Sequence, residues 1–260
     1  MKIKMTSLIG AMGLALSLGN STASAQGFST ILEKLDAPVS VLDRSVAIDA
    51  GADIYSHYVW RGYILATKPV VQPTITFRFG DSGVAFNVWG SAAVQERGAP
   101  ENLKEADELD FILSFDRSLG EEREAVGLSL GYIRYTLPNL AGTQHSEEIY
   151  GGFSLDNSIA PSMTVYYDFG LADAFYVTAG IGPEFSLDNE GMTNLSFEAS
   201  IGFSGAAESF AFNDFTVLSS IGVNLEAFTI CPAIGFSYAD DAVNIDNSEF
   251  WGGVSISFSR

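Results

Sequence analysis

Cysteine and histidine are nearly missing from this 260-residue chain, and basic residues are few. The single cysteine, Cys231, excludes an internal disulfide and any multi-thiolate metal centre. Only His57 and His145 could offer an imidazole, so histidine-based catalysis has little to draw on. Against 32 Asp+Glu stand 13 Lys+Arg, a net charge of −19. A chain this anionic lacks the cations that displace phosphate counterions, which excludes nucleic acid as a partner. Beyond residue 25 there is no apolar run of the roughly 18 residues that a membrane-spanning helix requires. Disorder is excluded too, because 47% of residues are apolar, 19 Phe and 10 Tyr among the chain's aromatics. Mean hydropathy is positive, so the apolar side chains must be dispersed with some period.

The first 25 residues read as a cleaved signal peptide. Lys2 and Lys4 form a basic start, Leu8 to Leu18 a short apolar stretch, and Ala23-Ser24-Ala25 an A-x-A cleavage site. Removing that leader takes two lysines and no acid, moving the charge from −19 to −21. The chain is therefore expected to be exported. Residues 26–45 place Phe28, Ile31, Leu32 and Leu35 on one helical face, with Thr30 and Glu33 as a capping box. This segment is a short amphipathic helix or a frayed periplasmic tail; folded into a pore mouth, the helix would be a plug.

The dominant period is two. In 194–204, Leu195, Phe197, Ala199, Ile201 and Phe203 alternate with Asn194, Ser196, Glu198, Ser200, Gly202 and Ser204. Alternation of this kind sends the two sets to opposite faces of a strand. Some twelve such segments follow one another: 46–62, 70–79, 84–95, 107–117, 125–136, 147–156, 162–170, 174–187, 193–205, 214–226, 228–238 and 248–259. The connections alternate between tight turns, such as Gly80-Asp81-Ser82-Gly83, and longer stretches, such as 96–106 and 137–146; two on the longer side, near 66–69 and 171–173, are short. An even strand count with this asymmetry predicts an all-β fold, a transmembrane antiparallel up-and-down barrel spanning 46–260. Ten strands is the nearest alternative count, because Pro73, Pro183 and Pro232 fall inside proposed strands and signal bulges or misplaced boundaries.

A β-sandwich also alternates, but two features argue against it. Aromatic residues collect at strand ends, as two interfacial girdles require: Tyr58, Trp60, Tyr132, Phe169, Phe175, Phe215, Tyr238 and Phe250 at one end, and Phe79, Phe86, Phe115, Phe185, Phe228 and Phe258 at the other. The opposite phase carries Asp53, Arg61, Arg78, Asp110, Asp116, Asp168, Glu184 and Glu198, which a dry core could not hold unpaired.

The run Ser56-His57-Tyr58-Val59-Trp60-Arg61-Gly62-Tyr63 resembles the S-x-Y-x-[WF]-R-G element of the TorF-type porin family, proteobacterial outer-membrane proteins of unknown function. Further matches are Gln72-Pro73, Trp89-Gly90-Ser91, Glu108-x-Asp110, Gly131-Tyr132-Ile133-x-Tyr135, Ser146 to Gly152, and Tyr166-Tyr167-Asp168. The resemblance covers about residues 46–260 and implies an outer-membrane barrel that conducts solutes; it implies no catalytic or ligand residue. One departure is that Phe258 is followed by Ser259-Arg260, where such barrels end in an aromatic residue.

Twelve strands fall between filled eight-stranded barrels and wide porins, so the lumen is expected to be narrow or plugged. Its candidate lining charges are Asp53, Arg61, Arg78, Asp110, Glu148 and Asp168, with Arg61, Arg78 and Arg134 as a basic strip facing the acids. Excess acid would favour cations or neutral solutes; the same charges could equally be filler in a closed barrel. Inward Tyr55, Trp89, Tyr135, Tyr150, Tyr166, Tyr176 and Trp251 offer stacking surfaces or simple packing.

The expected function is passive, porin-like diffusion of small hydrophilic solutes across the outer membrane of a Gram-negative bacterium. The alternatives are a closed structural or adhesive barrel and, remotely, a hydrolase built on His57 or His145. No cofactor or metal is expected. Partners would be outer-membrane lipid and lipopolysaccharide, the barrel-assembly machinery and the solutes, with the oligomeric state open.

Overall fold

The computed structural model describes residues 46–94, 107–120, 125–138, 145–205, 209–225, 228–244 and 247–259. The leader and the segment 26–45 lie outside the described residues.

Alternation becomes strands throughout. They are β1 (Val46–Tyr55), β2 (Tyr58–Trp60), β3 (Tyr63–Ala66), β4 (Val70–Phe79), β5 (Val84–Ala93), β6 (Glu108–Leu119), β7 (Val126–Thr136) and β8 (His145–Leu155). There follow β9 (Ser162–Asp168), β10 (Ala174–Ile181), β11 (Glu184–Ser186), β12 (Thr193–Ser204), β13 (Ala211–Leu225), β14 (Phe228–Ala239) and β15 (Ser248–Ser259). All but β2 and β3 join one antiparallel sheet in which each strand pairs with its chain neighbours. β10 and β11 are two pieces of one strand, both paired with β12. The first and last strands close the cylinder, from Asp49↔Ser259 to Tyr55↔Gly253. The result is a closed barrel of twelve strand positions, with the count as expected.

Closure is what a lipid environment demands, since an open edge would leave backbone groups unsatisfied in hydrocarbon. The outward phase is apolar all round: Ile54, Leu113, Leu130, Ile149, Phe197, Ile234 and Phe250 are all exposed. Both expected aromatic girdles are found on it, except for Tyr58 and Trp60. A sandwich would have buried this set.

The prolines do not mark bulges. Pro183 splits β10 from β11, and Phe197 N–H donates to its carbonyl. At Pro73 and Pro232 the ladders with β5 and β13 lapse and resume in the same register. A register shift lies elsewhere, where Asn213 of β13 is the extra residue opposite Gly202 and Phe203 of β12.

The first strand ends earlier than the alternation suggests, at Tyr55 rather than near residue 62. Residues 56–69 are not a short connection: β2 and β3 form a separate two-stranded hairpin. Its Tyr58, Val59, Trp60, Arg61 and Ala66 are buried, so the hairpin is folded into the barrel. It enters from the end opposite Val46 and Ser259, which takes the external side because short turns face the periplasm.

Leu130 stands mid-strand on the outward phase of β7 and is 58% exposed. Leu130→Arg is expected to destabilise the barrel in lipid vesicles by about 2–4 kcal/mol, measured by urea unfolding. A neutral effect there would contradict a lipid-facing position.

Candidate functional site

The interior is two unlike halves. Towards the termini it is lined by small polar side chains, among them Ser129, Thr164, Thr178, Ser200 and Ser257, which are partly open to solvent. There Arg78 Nε donates to Asp49 Oδ2 at 2.6 Å, a half-exposed pair worth little. Towards the outer end the hairpin fills the bore. It packs against inward residues from all round the wall, including Tyr55, Val70, Trp89, Ile112, Tyr135, Tyr166, Tyr176, Leu218 and Trp251.

Several inward glycines that could be taken for open space are seats for aromatic rings. A side chain on Gly131 would strike the ring of Tyr150, and one on Gly235 the indole of Trp251. Tyr150, Tyr166 and Tyr176 then form a continuous row, with ring centroids 5.5 and 6.1 Å apart. Tyr55 meets Trp251 edge-on at 5.2 Å.

The hairpin reverses at Arg61-Gly62, between the paired Trp60 and Tyr63. Both turn residues have positive φ, +44° at Arg61 and +79° at Gly62. A two-residue turn of this hand matches the twist of the strands and suits glycine at its second position. Gly62 is also required because a Cβ there would collide with Ala239 and Asp214. Arginine at the first position is less usual, and such a conformation persists only where the surroundings hold it.

The surroundings do hold it. Arg61 sends both terminal nitrogens to Glu148 on β8, Nη1 to Oε2 and Nη2 to Oε1, each at 3.0 Å. Its guanidinium carbon stands 4.4 Å over the ring of Tyr166, 4.1 Å over Tyr176 and 4.8 Å from Trp60. Tyr135 Oη donates to Glu148 Oε1 at 3.0 Å. Tyr176 Oη and Asn213 Nδ2 both donate to Asp214 Oδ1, and Asn213 Nδ2 also reaches the Arg61 carbonyl at 2.8 Å. On the other side Tyr58 Oη donates to Glu108 Oε2 at 2.8 Å. The hairpin therefore bridges β6 on one side of the bore to β8, β9, β10 and β13 on the other.

Of the six candidate lining residues, five stand on the inward phase of the wall: Asp53, Arg78, Asp110, Glu148 and Asp168. Arg61 belongs to the hairpin instead. Asp168 caps a loop: it accepts from Ser146 Oγ and from the amides of Gly170 and Ala172. The expected basic strip does not form. Arg78 lies near the terminal mouth, Arg61 in the hairpin, and Arg134 on the outward phase, where it pairs with Glu147 at 3.0 Å. Glu108 and Asp214, both buried and inward, complete the acidic set and escaped the lining candidates. Glu108 sits two residues from Asp110 on one face of β6, so alternation could have found it.

His57 contacts Ser56 Oγ at 3.0 Å and Glu249 at 4.0 Å, both through Nδ1. A relay from nucleophile to acid needs the two different ring nitrogens, so this trio is not a hydrolytic triad. Among the described residues no three His, Cys, Asp or Glu side chains are grouped to hold a metal ion.

The structure is similar to that of the "KdgM porin", with a TM-score of 0.53, 9% identity, and coverage of 82% of this chain and 99% of that one. A second structure, "KdgM porin in complex with disordered oligogalacturonate", matches at 10% identity with the same score and coverage. This chain has the fold of a porin. No family model and no curated protein matches it.

Breaking one half of a buried ion pair leaves the other charge uncompensated, at about 3–5 kcal/mol. Arg61→Ala and Glu148→Gln should each destabilise the folded barrel by that order in denaturant titrations. The double variant should lose much less than the two effects combined. Additive losses would mean that the two groups are not paired.

Proposed function

We propose that this chain is a porin-like channel of the outer membrane, passing small hydrophilic solutes by passive diffusion and preferring cations and neutral molecules. The observation that carries the charge preference is the composition of the outer half of the bore. Asp53, Glu108, Asp110, Glu148, Asp168 and Asp214 are all buried and inward there, while Arg61 is the one buried cation among the described residues. Carboxylates in a narrow, weakly screened passage focus a negative potential, which attracts cations and repels anions. The solute named with KdgM, oligogalacturonate, is a polyanion, and the acidic wall here would disfavour it.

The exposed apolar exterior, the closed sheet and the porin fold together support outer-membrane placement, with short turns inside the periplasm. The finer assignment to the TorF-type porins rests on Ser56 to Tyr63, the segment that forms the hairpin. Other residues of that resemblance, Glu108, Tyr135, Glu148 and Tyr166, are the ones the hairpin touches.

A second reading, a closed structural barrel, is favoured by that same hairpin, since it fills the outer half of the lumen. The two readings part on conductance. Because Tyr55 and Val70 are register partners, residues 56–69 can be replaced by Asn-Gly, a turn suited to joining adjacent antiparallel strands. In planar bilayers this variant should conduct steadily and select K⁺ over Cl⁻, and Asp53→Asn with Asp110→Asn should move the reversal potential towards zero. A silent variant would favour the structural reading, and anion selectivity would contradict the electrostatic one.

A further inference from the structure

The seat of Arg61 is built almost wholly by the barrel wall. Glu148, Tyr135, Tyr166, Tyr176 and Asp214 all belong to wall strands, and only Trp60 comes with the hairpin. If the hairpin left, the wall would keep a carboxylate that is 1% exposed here, two tyrosine faces 4.4 and 4.1 Å from where a guanidinium had been, and the buried Asp214. Nothing in that set requires the cation to be attached to the protein.

We propose that Arg61 is a tethered stand-in for a ligand, and that the vacated seat is a binding site for small cations bearing a guanidinium group. This deepens the channel reading and rests on it: the site would be the selective point of the pore, and the hairpin its built-in competitor. Geometry favours guanidinium over ammonium. Two parallel bonds to one carboxylate match a planar fork and not a tetrahedral point charge. Attraction of the cation to the ring faces adds to this, and most strongly where water is excluded.

Two observations indicate that the tethered group is a compromise occupant. Arg61 holds a left-handed backbone, with φ at +44°. Its Nε is buried with no hydrogen-bond partner among the described residues. A free guanidinium can turn to satisfy its N–H groups, which an arginine fixed at the tip of a hairpin cannot. What keeps Arg61 in place is its local concentration, since a tethered group competes intramolecularly. A free ligand gains the site only when the hairpin yields or is removed.

The test uses Arg61→Ala and, independently, the variant with 56–69 replaced by Asn-Gly, each checked for folding by heat-modifiable migration in gels. Methylguanidinium binding is measured by calorimetry in detergent. Both variants should bind it saturably, with a dissociation constant of about 1 mM or tighter, and methylammonium at least about tenfold more weakly. Adding Glu148→Gln should weaken methylguanidinium at least about tenfold, and the wild-type chain should bind it more weakly than either variant. Absence of saturable binding in the folded variants overturns the proposal. So does binding that is indifferent to Glu148→Gln, equal for the two cations, or equal in the wild type. Conductance recorded on the same preparations separates the two readings: binding without conductance keeps the site and removes the channel, whereas conductance without binding does the reverse.

Discussion

Closure of the sheet is the constraint from which the other features follow. In hydrocarbon every backbone N–H and C=O must find a partner within the protein, and a cylinder is the arrangement that gives a strand protein no edges. β1 meets β15, and β10 with β11 covers β12, so the ring has none. Once the exterior belongs to lipid, every charged side chain of the strands must find a place inside or at the rims. Twelve strands enclose a bore too narrow to keep all of these groups in bulk water. The chain answers differently at its two ends: small hydroxyl residues keep the periplasmic half wet, and the first external connection folds inward to fill the other.

That filling is polar, and polarity has a cost. A buried arginine and glutamate must each surrender hydration worth several kcal/mol, and their attraction repays it only with good geometry and further partners. Here the geometry is bidentate, Tyr135 supplies an extra donor, and three aromatic rings lie about the cation. An apolar tip on the same hairpin would have met no such desolvation cost. The pair therefore contributes position more than stability: it fixes which face of the hairpin meets which strand.

Most of the wall was legible because membrane strands repeat one rule with few exceptions. The outward and inward phases of 193–204, 214–225 and 248–258 were readable from the alternation, with Leu218 and Ser219 as exceptions, and the structure places them so. The hairpin was not legible by that rule, since Tyr58 and Trp60 continue the alternation of β1 and look like girdle residues. The signal lay in Arg61-Gly62, a dipeptide able to take two positive φ values between β-forming pairs, followed by Pro69. Pairing of charges was beyond alternation as well. Period two tells that Glu148 and Asp168 point inward, but not that one meets Arg61 across the bore while the other caps a loop. Those partners are distant in sequence and are set by strand stagger around the cylinder.

The guanidinium of Arg61 rests inside the barrel against wall tyrosines. Solid-state NMR of the full chain in lipid vesicles tests this placement most directly, through magnetisation transfer between labelled Arg61 Cζ and the ring carbons of Tyr176. A strong short-range cross-peak is expected, in keeping with the 4.1 Å separation, together with an Arg61 signal insensitive to a water-soluble paramagnetic ion. A missing cross-peak together with a signal broadened by that ion would put the hairpin outside the bore and contradict the account.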